Sequence, residues 1–211
     1  MYVPSAFRVD DGPALRRLIE QHSFATLVSR VDGRIEASHV PLMLDPDDGP
    51  SGTLLGHLAR ANPQWHGFGE DQEALVIFQG PHAYISPRWY RNAPAVPTWN
   101  YTAVHVYGRP EPVDERSAVA GILDRLVARH DPAMPQPWSE HAPADFRERM
   151  MGAIQAFRMP VTRMEGKFKL SQNRPAEDRE NVWRTLARSD SGADRALWRF
   201  ARDAGVIAEP E

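Results

Sequence analysis

Apolar positions along this chain change period several times, and each change predicts an element. Leu15, Leu18, Ile19 and His22 recur at i, i+3, i+4 and i+7, which predicts an amphipathic helix over residues 10–22. Asp10 or Asp11 can cap it, and Pro13 suits its first turn. The pattern then shortens to strand-like runs at 24–30 and 34–44, joined by the hairpin turn signal Asp32-Gly33. Pro41 lies inside the second run and cannot donate to a ladder, so that strand is expected at an edge or bulged. Further strands are predicted at 53–59, 74–79, 83–86, 99–113 and 155–165. Asn62-Pro63 starts a helical turn, with Asn62 as the cap. A loop over 87–97 carries Trp89 and Tyr90 as anchors, and a second, proline-rich loop covers 131–143.

Helical spacing returns at 115–130, where Val119, Ile122, Leu123, Leu126 and Val127 share a face. A short helix is expected at 144–151, and two more at 176–188 and 193–204. Many short strands with turn signals between them, and helices before, within and after them, predict an α+β fold built on an antiparallel barrel.

Composition narrows the chemistry. The chain has 211 residues and no cysteine, which excludes disulfides, thiolate catalysis, zinc–thiolate sites and iron–sulfur clusters. No apolar run reaches the roughly 18 residues that cross a bilayer. Met1 to Pro4 lacks the basic-then-apolar pattern of a signal peptide. A cytoplasmic protein with no membrane partner is therefore expected. Net charge is −3, so charge does not support DNA as a partner. The arginines between 174 and 202 alternate with acids such as Glu177, Glu180 and Asp194, which reads as a solvated face. Lysine is scarce: the two in the chain, Lys167 and Lys169, lie two residues apart. That pair either points to an anion site or is a chance placement on a solvated strand.

Dinucleotide-binding, P-loop, nucleophile-elbow and zinc-protease motifs are all missing, and no metal site is expected. Four segments place polar groups at strand ends: 37–42, 56–63, 97–108 and 166–174. Together they hold what a flat aromatic ring with a phosphate tail requires, an apolar slot with a few fixed donors and cations. Arg60, just before the turn at Asn62, suits a phosphate. Trp99 and Tyr101 could wall a ring, and Ser38, His39 and Asn100 could meet its edge. Each residue also has a plainer reading, as helix cap, core histidine or core aromatic.

The order of the pieces MYVPSAF, ATLVS, ASHVPLML, GHLARANPQW, ALVIFQGPHAYISPRWY, VPTWNYTAVHVYG and KFKLSQNR resembles the PaiB family, the FMN-binding negative transcriptional regulators. The resemblance implies a split β-barrel of the pyridoxamine-oxidase-like group with peripheral helices. Residues 1–175 would form the barrel domain, and 176–211 a helical extension packed on it. It further implies a homodimer with FMN at the subunit interface. Ser38, His39 and Val40 would touch the flavin edge, and Leu58, Ala59, Arg60 and Asn62 the phosphate and ribityl side. Trp99, Asn100 and Tyr101 would form the opposite wall, and Lys167, Lys169, Ser171 and Gln172 would close the site. A regulator is the first expectation. The alternative is an FMN-dependent oxidoreductase, either a flavin reductase or a pyridoxamine-phosphate-oxidase-like enzyme, and a flavin or haem carrier, or a redox sensor, is a third. No catalytic residue is assigned, although His39 is the best acid–base candidate.

Overall fold

The computed structural model describes residues 1–69, 72–134, 137, 140 and 142–207. The proline-rich loop expected over 131–143 therefore lies partly outside the described residues. Among the described residues, nine strands form an antiparallel sheet: β1 (Arg8–Val9), β2 (Phe24–Val31), β3 (Arg34–Pro41), β4 (Met43–Asp45), β5 (Thr53–Ala59), β6 (Ala74–Ile85), β7 (Thr98–Gly108), β8 (Glu111–Val113) and β9 (Ile154–Lys169). Their order is β3-β2-β6-β7-β9-β5-β4, with β1 and β8 both pairing with β9. Five α-helices among the described residues accompany them: α1 (Gly12–Gln21), α2 (Arg116–His130), α3 (Ala144–Gly152), α4 (Ala176–Ala187) and α5 (Gly192–Asp203). The fold is an α+β split barrel. None of the described helices is long and apolar enough to cross a membrane.

Most predicted elements form where the pattern puts them. Asp32 and Gly33 both take positive φ, 49° and 76°, as a two-residue hairpin turn requires. Their strands pair from Phe24↔Pro41 to Val31↔Arg34. β3 ends the strand order, so Pro41 does sit on an edge strand.

Four boundaries differ. The 34–44 run breaks after Pro41, where Leu42 N–H donates to Ser23 O and β4 turns to pair with β5. The two strands expected at 74–79 and 83–86 are one, β6, which runs through Gly80-Pro81. Pairing between β2 and β6 covers only Leu75–Ile77, and a strand with an open flank tolerates a proline. The strand expected at 99–113 is two: it stops at Gly108, and β8 pairs with β9 instead. Finally, β9 continues past Glu165 to Lys169. Gly166 is no terminator, because β1 approaches so closely that a Cβ there would overlap Leu15 and lie 2.9 Å from Val9 O.

The chain divides into two compact units. Unit one comprises residues 1–21, 79–104 and 165 onward; unit two comprises 22–78 and 105–164. Strands β6, β7 and β9 each contribute to both. In unit two, α2 lays Val119, Ile122 and Leu126 against Leu55 of β5 and Ala156 of β9, flanked by Met43, Val113 and Met151. Each such aliphatic side chain, once buried, stabilises the fold by about 1.5–3 kcal/mol. In unit one, α1 buries Leu15, Leu18 and Ile19. The helices α4 and α5 bury Val182, Leu186, Leu197 and Ala201, and Phe200 meets Phe168 edge-on at 5.2 Å.

Candidate functional site

The residues singled out from the sequence fall into two sets, one in each unit. In unit two, the period of β3 splits its three candidates. Ser38 and Val40 face one way and His39 the other. Val40 is core, as is Leu58 on β5. Ser38 Oγ accepts a hydrogen bond from Asn62 Nδ2 at 2.8 Å. Asn62 Oδ1 accepts from Gln64 N–H at 2.9 Å, so Asn62 is the expected cap. Gln64 is buried, and its Nε2 donates to Leu27 O, Ser29 Oγ and Glu36 O at 3.1, 3.0 and 3.2 Å. These bonds fasten the turn to the β2–β3 hairpin. On the other face, the His39 ring stacks on Phe24 at 6.3 Å, and its Nδ1 lies 3.1 Å from Thr26 Oγ1.

Arg60 is exposed, as is Ala59. Its Nε donates to Gly152 O and Ile154 O at 3.1 and 3.2 Å, and its guanidinium lies 5.7 Å from the Trp65 ring. It lines a cavity with Val113, Asp114, Arg116, Met151 and Ile154. Arg116 is paired there with Glu148. Arg60 was expected to offer a phosphate position beside the helical turn that starts at Asn62. The helix is a five-residue 3-10 turn, Pro63–Gly67, and the Asn62 side chain already occupies its leading N–H.

In unit one the set converges more tightly. Asn100 is fully enclosed on β7, and its Nδ2 donates to Ser171 Oγ at 2.8 Å. Asn100 Oδ1 has no hydrogen-bond partner among the described residues. Ser171 adopts φ 64°, a left-handed conformation that costs a non-glycine residue about 1–3 kcal/mol. Gln172 turns back on β9: its Oε1 accepts from Leu170 N–H at 2.6 Å and its Nε2 donates to Phe168 O at 2.5 Å. Its carboxamide thus closes the strand end.

Lys167 is buried. Its Nζ donates to Tyr2 O at 3.0 Å and lies 5.4 and 5.2 Å from the Tyr2 and Tyr101 rings. Lys169 Nζ donates to Thr98 Oγ1 at 2.5 Å. Burial lowers the Lys169 pKa from its ordinary value, and the positive charges of Lys167 and Arg174 lower it further. The Arg174 guanidinium stacks 4.5 Å from the Tyr90 ring. Trp99 is half-exposed beside Tyr84 and His82, each ring 5.9 Å away.

Arg174, Thr98, Tyr2 and Tyr90 were not singled out from the sequence as site residues. Arg174 was within reach, since it ends the KFKLSQNR piece. The contacts of Thr98 and Tyr2 with the lysines span 71 and 165 residues, and local pattern carries no trace of them. The donor set fits FMN: cations for a phosphate, an enclosed carboxamide oxygen able to accept from a hydroxyl or ring N–H, and exposed aromatic faces.

Comparison with known proteins agrees with this chemistry. Residues 1–163 match the family described as "Putative FMN-binding domain". The chain is 34% identical over 193 residues to "Protease synthase and sporulation protein PAI 2" of Bacillus subtilis, covering 90% of this chain and 91% of that protein. It is 30% identical over 232 residues to an uncharacterized protein of Aspergillus fumigatus, covering 86% and 89%. Among solved structures, the fold is similar to the flavocytochrome Anf3 of Azotobacter vinelandii (TM-score 0.62, 14% identity, 77% of this chain and 69% of that one). It is also similar to an FAD- and haem-binding protein of Mycobacterium smegmatis (TM-score 0.58, 16% identity, 77% and 73%). With the family model covering most of the chain and a relative matched over nine-tenths of it, this protein belongs to the FMN-binding PaiB family.

Proposed function

We propose that this protein binds FMN and works as a PaiB-type regulator, a cytoplasmic homodimer whose flavin is part of the working form. The observation that carries the reading is the family match over residues 1–163. In unit two, Ser38, His39 and Asn62 are the polar contacts offered to a ligand, with backbone at Val40, Leu58 and Ala59 and the charge of Arg60 nearby. In unit one, Trp99, Asn100, Tyr101, Lys167, Lys169 and Ser171 are the contacts, with Gln172 holding the turn that presents them. The dimer is supported by the β2–β3 hairpin. Phe24 and Ile35 lie on one face of it, each 70% exposed, and β3 is a sheet edge that favours pairing or cover. Any action on DNA would go through a partner or through the assembled dimer, because the chain's charge is −3.

The visible spectrum of the purified protein tests the cofactor. Flavin bands at roughly 370 and 450 nm are expected. A preparation lacking them that also fails to quench added FMN would overturn the reading. Sedimentation at micromolar concentration tests the dimer, and a monomer there would remove it. A gel shift at low salt tests direct DNA binding.

A second reading, a flavin-dependent oxidoreductase, is favoured by His39. Its imidazole is exposed, with one nitrogen held by Thr26 Oγ1, and it could pass a proton. Bound FMN would supply the electron transfer. Anaerobic mixing with NADH and NADPH should bleach the flavin on this reading, and persistent colour with both excludes a nicotinamide-driven reductase.

A further inference from the structure

The Arg60 position and the Lys167–Lys169–Arg174 cluster both offer positive charge, but their surroundings differ. Arg60 spends Nε on two backbone carbonyls, and its cavity is also lined by Asp114 and by Arg116, which pairs with Glu148. In the cluster, the enclosed carboxylate of Asp178 meets the charge of Arg174, whereas Lys167 and Lys169 have no such compensation among the described residues. None of its three cations forms a salt bridge with a described residue, and the charges acting on Lys169 are both positive. Lys167 is held within the protein by one backbone carbonyl and two tyrosine rings. Bringing like charges together costs free energy unless an anion joins them.

Three further features belong to the same place. Asn100 Oδ1 is enclosed and unpartnered among the described residues, which costs free energy if nothing ever satisfies it. Ser171, the partner of Asn100, is held in a left-handed conformation, and such backbone outliers gather at ligand sites. Lys169 keeps its ammonium beside the Thr98 hydroxyl, so that a cation and a hydroxyl stand together as they do around bound phosphates.

We propose that Lys169 and Arg174, backed by the field of the buried Lys167, seat the phosphate of a phosphate monoester, and that Asn100 Oδ1 accepts from a donor group of the same molecule. FMN is one such monoester, and a second phosphorylated ligand is the other source. The proposal rests on the flavin reading only for which monoester it is. It moves the phosphate away from Arg60.

Calorimetric or fluorescence titration of the apoprotein tests it, using FMN against riboflavin, phenyl phosphate against phenol, and inorganic phosphate. The variants are Lys169→Gln, Arg174→Gln and Arg60→Gln, with Lys169→Arg as the conservative rescue and ligand-free thermal unfolding as the check on folding. If the cluster seats the flavin's phosphate, the preference for FMN over riboflavin falls about tenfold to a hundredfold in Lys169→Gln and Arg174→Gln. Lys169→Arg recovers most of it, and Arg60→Gln lowers it less than either cluster variant. If the cluster serves a second ligand, the flavin preference survives while phenyl phosphate and inorganic phosphate lose affinity by a similar factor. Unchanged affinity for every phosphate in both cluster variants overturns the proposal, as does a preference abolished only by Arg60→Gln. Wild-type protein that binds phenyl phosphate but no flavin would sink the FMN reading and spare this one. Wild-type protein that binds none of the phosphates would overturn this one.

Discussion

Asn62 donates its carboxamide N–H to Ser38 Oγ at 2.8 Å while its oxygen caps Gln64 N–H at 2.9 Å. One side chain thus starts the 63–67 turn and ties it to β3. Asn62→Ala removes both bonds and should destabilise the protein by about 1–2 kcal/mol. Asn62→Asp, which keeps the cap and can still accept from the Ser38 hydroxyl, should cost less. Urea unfolding of the two variants checks the order, and equal losses would contradict it.

Gln64 is the deeper anchor. Its buried Nε2 serves three acceptors on the β2–β3 hairpin. Gln64→Leu keeps most of the volume but leaves Leu27 O and Glu36 O short of a donor. A loss of roughly 2–3 kcal/mol is expected, again by denaturant midpoint. A change below half that would mean that water reaches the hairpin.

Asp178 on α4 is enclosed, and its Oδ1 accepts from Arg91 N–H, Asn92 N–H and Asn92 Nδ2 at 2.7, 3.2 and 3.2 Å. Burial alone would raise its pKa, but those donors and the charge of Arg174 outweigh burial and lower it. A depressed carboxylate stabilises the fold above its unfolded pKa and ceases to do so as pH falls through the folded one. Asp178→Asn should therefore be less stable than wild type at neutral pH. The gap should close as pH drops below the ordinary carboxylate value, in thermal melts taken across the acid range. A gap independent of pH would remove the ionised carboxylate from the account. The same substitution should loosen the 87–97 loop, read as faster proteolysis there.

Gly108 ends β7 where a Cβ would overlap Pro160 O. The obstacle is backbone rather than a movable side chain. Gly108→Ala should cost about 1–3 kcal/mol or more, measured by thermal unfolding, and a neutral result would require the strand ends to separate freely.

Much of this architecture was legible because local chemistry decided it. Asp32-Gly33 could hardly be other than a hairpin turn, and the helix faces of Leu15, Leu18 and Ile19, and of Val119, Ile122 and Leu126, are period alone. What was misread depended on neighbours distant in sequence. Gly80-Pro81 looks like punctuation, yet β6 runs through it, past the point where its pairing with β2 ends at Ile77. Gly166 also looks like a stop, yet it is glycine because β1 passes close to it. For the candidate site, the lysine anomaly was visible, and so was the capping role of Asn62. The burial of Lys167 under Tyr2 and Tyr101, the Asn100–Ser171 bond and the arrival of Arg174 were not, since each joins chain segments that no period connects.

Because β6, β7 and β9 each lend residues to both units, a cut made to isolate either unit must sever all three strands. The two halves cannot be shuffled like beads on a string. They have to be inherited, expressed and engineered as one indivisible piece, and a graft of the cationic end onto another scaffold would have to bring whole strands with it.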